Sequence, residues 1–295
     1  QSLAVLTPFQ AIALRNYIEQ YGKLSTVYEL RNIPELDAVT IQAVLPFIRV
    51  EGPPSKNTFS FKKVAQTGRH EAIVRYAAVL EEQKGFTPRE SDGETPYEGS
   101  KDRIYTRYRF QAGQLFSAGI TGEKDAGETF GKGSNPNGFD FYSAHLFARN
   151  IGPVKQVAIG DYQAQFGQGL TFWSGLNFGK TGQGTNAMRF APGLRPYTSA
   201  NENLFLRGAG VTLGGKRWDA TLFYSNKNID ASIADADTLD PEDLTFTSLQ
   251  ISGLHRTEGE IRGEDALGEE IAGAHAAYKT EHLELGGTGV YSRYD

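Results

Sequence analysis

A charge cluster, Glu123-Lys124-Asp125-Ala126-Gly127-Glu128, offers the first candidate for chemistry. Carboxylates beside an ammonium could share acid and base roles. No nucleophile or oxyanion donor pairs with them in the sequence. The same residues read better as a salt-bridged network that locks a loop to a sheet wall. Arg107 and Arg109 are the basic partners expected for Glu123, Asp125 and Glu128.

Other motifs carry less. Asp235-x-Asp237-x-x-Asp240, with Glu242 and Asp243, suggests calcium. It lacks the turn glycine and the closing bidentate Glu of an EF-hand loop, so it reads as a solvated acidic loop. Phe178-Gly179-Lys180-Thr181 has the end of a phosphate loop, but its first glycine is one place late and no strand-loop-helix surrounds it. Gly208-x-Gly210 falls inside a strand pattern, where small residues ease a bend. The five histidines, His70, His145, His255, His275 and His282, have no metal-ligand spacing. His255, next to Arg256 and Thr257, is expected to cap a short helix or fix a turn. With 0 Cys, thiol chemistry, disulfides and Cys-bound zinc are excluded. No metal, cofactor or catalytic residue is expected, and the chain is read as a non-enzyme.

The elements that would position these residues fall into two kinds. Residues 1–50 have helical spacing. Phe9, Ile12, Ala13, Tyr17 and Ile18 mark one helix ended by Gly22, Val27 to Ile33 a second, and Asp37 caps a third through Leu45. Residues 51–66, opening with Gly52-Pro53-Pro54-Ser55, read as a linker.

The run from Ala11 to Leu24, followed by Tyr28-Glu29-Leu30 and Ile33-Pro34, resembles the helix-hairpin-helix module of competence-type DNA-uptake proteins. The resemblance implies a Gly-hydrophobic-Gly hairpin that holds a DNA phosphate on bare backbone amides. Here the hairpin reads Pro34-Glu35-Leu36-Asp37, with carboxylates in place of both glycines. The module's bases (Arg15, Lys23, Arg31, Arg49) and acids (Glu19, Glu29, Glu35, Asp37) also cancel. A protein-docking role through Tyr17, Tyr21, Tyr28 and Leu36 is therefore expected over DNA binding.

From residue 67 onward the period is two. Trp218, Ala220, Leu222 and Tyr224 alternate with Asp219, Thr221, Phe223 and Ser225. The alternation Ile104, Thr106, Tyr108, Phe110 against Tyr105, Arg107, Arg109, Gln111 is similar. About ten strands are expected, near 70–81, 104–111, 114–122, 139–149, 154–161, 203–213, 218–225, 245–253, 270–279 and 283–293. Tight turns near 111–114, 150–153 and 214–216 alternate with long polar loops near 82–102, 123–138, 162–202 and 227–244. Bacterial outer-membrane barrels have such a rhythm. It is expected to fail between Leu254 and Gly268, long where a short turn is due, with a short helix begun by the capping box Thr257-x-x-Glu260.

Glu123 to Glu128, Gly138-Phe139-Asp140-Phe141-Tyr142-Ser143, Gly160-Asp161-Tyr162, Phe166-Gly167-Gln168-Gly169-Leu170, Glu202-Asn203, Arg207-Gly208 and Gly253-Leu254-His255-Arg256-Thr257 then resemble a Bacteroidota envelope family. Its members join a degenerate helix-hairpin-helix module to a large outer-membrane β-barrel. The resemblance implies an antiparallel barrel over 67–295, lacking C-terminal strands, with the helical module in the periplasm. Outer-membrane lipid and other envelope proteins are the implied partners. The expected job is that of a scaffold or accessory subunit of an assembly or export machine, with DNA uptake as the alternative.

Overall fold

A computed structural model describes residues 6–21, 24, 29–30, 33, 35–44, 59–175, 191–233, 246–280 and 283–295. The chain divides into two compact units, Gln1–Asn57 and Thr58–Asp295.

The first unit holds α1 (Pro8–Tyr21) and α2 (Ala38–Val44). Thr7 and Gln10 cap α1 reciprocally: Thr7 N–H donates to Gln10 Oε1 at 3.0 Å, and Gln10 N–H donates to Thr7 Oγ1 at 3.3 Å. Pro8 takes the first helical position, where its missing N–H costs nothing. Asp37 caps α2, as expected, by accepting the Thr40 N–H at 2.7 Å. Leu30, Ile33, Leu36 and Ile41 form the unit's core, with Ala13, Leu14 and Tyr17 of α1 packed against it. Most of the second expected helix lies outside the described residues.

The first element of the second unit is α3 (Phe61–Thr67), which overlaps the end of the stretch 51–66 expected as linker. It is then almost wholly β. The strands are β1 (Gly68–Ala78), β2 (Asp102–Ala112), β3 (Phe116–Lys124), β4 (Phe141–Ile151), β5 (Val154–Gln165), β6 (Gly193–Pro196), β7 (Leu206–Gly214), β8 (Trp218–Ile229), β9 (Ala231–Ile233), β10 (Phe246–Leu249), β11 (Leu267–Lys279) and β12 (Glu284–Tyr294), with α4 (Glu258–Arg262) before β11. One antiparallel sheet of ten strands runs β1-β2-β3-β4-β5-β7-β8-β11-β12, with β6 added to β5. It is open: β1 and β12 are its edges and do not pair with each other. The stretch 245–253, expected as a strand of the main sheet, instead supplies only β10. This pairs with β9 in a separate two-stranded sheet. Both lie within the single long connection from β8 to β11, so the alternation of short and long connections does not fail there.

Register explains the two faces. His70, Phe110, Ala118, Leu146, Ile159, Ala209, Tyr224, Ala272 and Tyr291 lie opposite one another in one row across the main-path strands. The next row reads Glu71, Arg109, Gly119, His145, Gly160, Gly208, Ser225, Ile271 and Ser292. Adjacent rows point to opposite faces. The first face is apolar and open: Ile120, Leu146, Ile159, Leu222, Tyr224 and Tyr291 are all exposed. The second face is covered. Phe166, Phe172 and Leu194, from the β5–β7 connection, pack onto Phe147, Ala158, Phe223, Ile271 and Val290.

Gly160 (φ 85°) and Gly208 (φ 155°) face each other across β5 and β7. A Cβ there would lie 2.3 Å from Ala144 O and 2.4 Å from Tyr224 O. Only glycine permits this kink, of the sort that curves a sheet.

Candidate functional site

The long connections 79–101, 125–140, 166–205 and 230–266 all leave the same end of the sheet. They meet around His255, which is 3% exposed. Its Nδ1 lies 2.6 Å from Asp140 Oδ2 and its Nε2 lies 3.1 Å from Asp230 Oδ2. Its backbone N–H donates to Glu128 Oε1 at 3.1 Å. Each carboxylate is also held from elsewhere. Asp140 accepts from Asn135 Nδ2 at 2.8 Å, Asp230 accepts from the Asp265 N–H at 3.0 Å, and Glu128 accepts from the Asp125 N–H.

The following turn carries the predicted capping box. Glu260 N–H donates to Thr257 Oγ1 at 3.3 Å, and Thr257 N–H donates to Glu260 Oε2 at 3.1 Å. Thr257, rather than His255, caps α4. Arg256 reaches Glu260 Oε1 at 2.7 Å and lies over the Tyr97 ring, while Glu98 N–H donates to Arg256 O. That ties in the connection from β1 to β2. Gly253 has φ 58°, and a Cβ there would lie 2.9 Å from the Glu202 carboxylate, so glycine lets the β5–β7 connection approach.

The electrostatics follow from this packing. Burial opposes the charge on His255, but the bonds to Asp140 and Asp230 outweigh it and raise its pKa to about 11. Burial, then repulsion from Asp140, raises Glu128 to about 7 and Glu202 to about 9. Burial would also raise Asp230, yet the bonds from His255 and the Asp265 amide hold it below its usual value. His255 is thus an imidazolium, with both ring nitrogens donating to carboxylates. It has no lone pair left to activate a hydroxyl, so the site carries charge and holds loops together.

Two ligand sets share this histidine, Glu128-Asp140-His255 and Glu202-Asp230-His255, each with donor atoms within 4.8 Å of one another. A cavity of about 200 Å³ adjoins them, lined by Asp140, Glu202, Asp230 and Glu264 among others. A divalent cation would need His255 to lose its proton first.

The expected charge network does not form as one unit. Arg107 Nη2 and Arg109 Nη2 both pair with Glu71, at 2.9 and 3.2 Å, rather than with the 123–128 cluster. Register is the reason: Glu71 stands opposite Arg109 on β1, whereas Glu123 stands opposite Tyr105, at the far end of β2. Glu123 and Asp125 instead take Arg103, with Arg75 also 3.8 Å from Glu123. Lys124 is buried and donates to the carbonyls of Ser100, Asp102 and Asp125. Of the predicted residues, only Glu128 enters the His255 cluster.

In the helical unit, Leu36 is buried in the core and Tyr17 is half-buried against it, so Leu36 presents almost no surface for a partner. The Glu35 carbonyl accepts from Gln10 Nε2 at 3.2 Å, and the Asp37 carboxylate occupies the α2 N-terminus. Pro34, Tyr28 and the Tyr21 side chain lie outside the described residues, as do the acidic loop Asp235–Asp243, Phe178–Thr181 and His282.

Asp140 and Glu202 fall within the stretches that carry the family resemblance, but neither they nor Asp230 are given a site role by the sequence. Asp140 directly precedes β4 and Asp230 directly follows β8, a placement on the long-connection side that marks both, whereas Glu202 lies within the β5–β7 connection.

Comparison with protein-family models, curated proteins and solved structures finds no match to this chain.

Proposed function

We propose that the second unit is an outer-membrane β-barrel wall and that the protein is a non-enzymatic scaffold or accessory subunit of a bacterial envelope machine. The observation that carries this reading is the open apolar face. Leu146, Ile159, Leu222 and Tyr291 are between 41% and 62% exposed. They lie in rows that cross the sheet. A sheet in water buries such a face. A sheet in lipid leaves it outward and turns its polar row inward. Trp218 and Tyr278, opposite each other next to the short turn after β7 and the β11–β12 turn, suit the aromatic girdle at a membrane interface.

The long connections would then be extracellular, and the His255 cluster would serve as a lock that joins them into one rigid cap. The helical unit would lie in the periplasm and dock another envelope protein. Its α2 N-terminus is occupied by its own Asp37 carboxylate, which argues against a phosphate there.

Detergent-dependent solubility together with heat-modifiable gel migration is the expected behaviour. A chain that stays folded and monomeric without detergent would overturn the barrel. Salt-dependent retention of duplex DNA by the full chain would overturn the docking role.

A further inference from the structure

The covered face of the sheet holds a second charged site, at the opposite end from His255. A cavity of about 220 Å³ lies there, next to the short turns after β2 and β4. Its polar lining includes Arg109, Gln111, Gln114, Arg149 and Arg195 and holds no carboxylate. Arg109 already shares Glu71 with Arg107. Arg149 and Arg195 have no ion pair among the described residues. The Nε atoms of Arg109 and Arg149 are buried and make no hydrogen bond. Arg149 lies with its guanidinium 5.1 Å from the centre of the Phe147 ring, which holds the side chain against the sheet.

Guanidinium groups gathered in one cavity repel one another, and the buried, unbonded Nε–H groups of Arg109 and Arg149 are costly to leave dry, while Arg195 stands exposed at the mouth. Neither effect is relieved by any acid in the lining. An anion from solution relieves both. A guanidinium offers parallel N–H donors whose spacing matches the oxygens of a tetrahedral oxyanion. We propose that this cavity binds a free divalent oxyanion of the phosphate or sulfate type, with Arg149 and Arg195 as its main ligands and Arg109 beside them; Gln111 and Ser117 are already held by Gly113 O and His145 Nε2. The site follows from the sheet's own geometry and stands apart from the lipid reading of the opposite face.

The test uses the full chain, folded in a non-ionic detergent and titrated calorimetrically with inorganic phosphate. Saturable binding is expected. Arg149→Gln should weaken it about tenfold or more, the range for losing a charged hydrogen bond. Arg149→Lys, which keeps charge but not the fork, should lose less. The Arg149→Gln/Arg195→Gln double variant should bind none. Arg103→Gln, whose guanidinium pairs with Asp125 outside the cavity, should bind like the parent. Without phosphate, Arg149→Gln should be no less stable than the parent, because it removes an uncompensated charge. Absence of saturable phosphate binding by the parent chain would overturn the proposal. So would a double variant that binds within about twofold of it.

Discussion

His255 Nδ1 sits 2.6 Å from Asp140 Oδ2, although 115 positions separate them in sequence. The pair links the connection that follows β3 to the one that precedes β11. Asp230 closes the arrangement from the other side of the ring. An imidazolium between two carboxylates, with Glu128 on its own amide, is a buried polar tie between the connections 125–140 and 230–266.

Removing that charge leaves buried carboxylates without their counter-ion. His255→Ala should therefore destabilise the loop cap by about 3–5 kcal/mol. The strands have their own hydrogen-bond ladders, so the loss should be local. Limited proteolysis should cut the connections near 125–140 and 250–266 early, while the strand content measured by circular dichroism stays unchanged. Equal loop protection in variant and parent would show that the tie is dispensable.

The same site predicts a pH dependence. His255 binds its proton more tightly in the fold, with a pKa of about 11 against an ordinary 6.5. Its contribution is complete below about pH 6.5 and is lost as pH rises through about 11. Glu128 and Glu202, raised from 4.5 to about 7 and about 9, act in the same direction. Asp230 and Glu260 have lowered values, so their contribution is lost only in acid. Loop protection, followed by amide hydrogen exchange corrected for the intrinsic rate, should fall steadily from pH 5 to pH 9. A rise over that interval would contradict the charge assignment.

The alternation in β8 was readable from sequence, and so was the rhythm of short and long connections. Both follow from local chemistry: a period of two and the placement of polar loop residues. The capping box at Thr257 was legible for the same reason. The direction of the apolar face was not, since Leu222 and Tyr224 would alternate identically whether they met lipid or a second sheet. The His255 cluster was hidden because Glu128, Asp140, Glu202 and Asp230 come from three different long connections, and only the register of the whole sheet brings those connections together. Arg107 and Arg109 were recognised as paired but assigned the wrong carboxylate, because Glu71 becomes their neighbour only through the β1–β2 register.

The two faces make opposite demands on substitution. Leu222 is 62% exposed. In a water-soluble sheet, Leu222→Arg would change stability by no more than about 0.5 kcal/mol. In a lipid-facing wall it should cost about 2–4 kcal/mol near the bilayer midplane. Urea titration of the chain refolded into vesicles measures the difference. A neutral Leu222→Arg would count against the lipid-facing assignment.

Trp173 and Trp218 are the two tryptophans of the chain. Trp173 bridges to Gln165 at the end of β5, while Trp218 is 51% exposed on the apolar face. Trp173→Phe therefore leaves one reporter on the surface that decides the account. This variant should be refolded into vesicles whose acyl chains carry bromine close to the headgroup. The lipid-facing barrel predicts strong quenching of Trp218 fluorescence relative to unbrominated vesicles. Unquenched fluorescence from folded protein associated with those vesicles would contradict it.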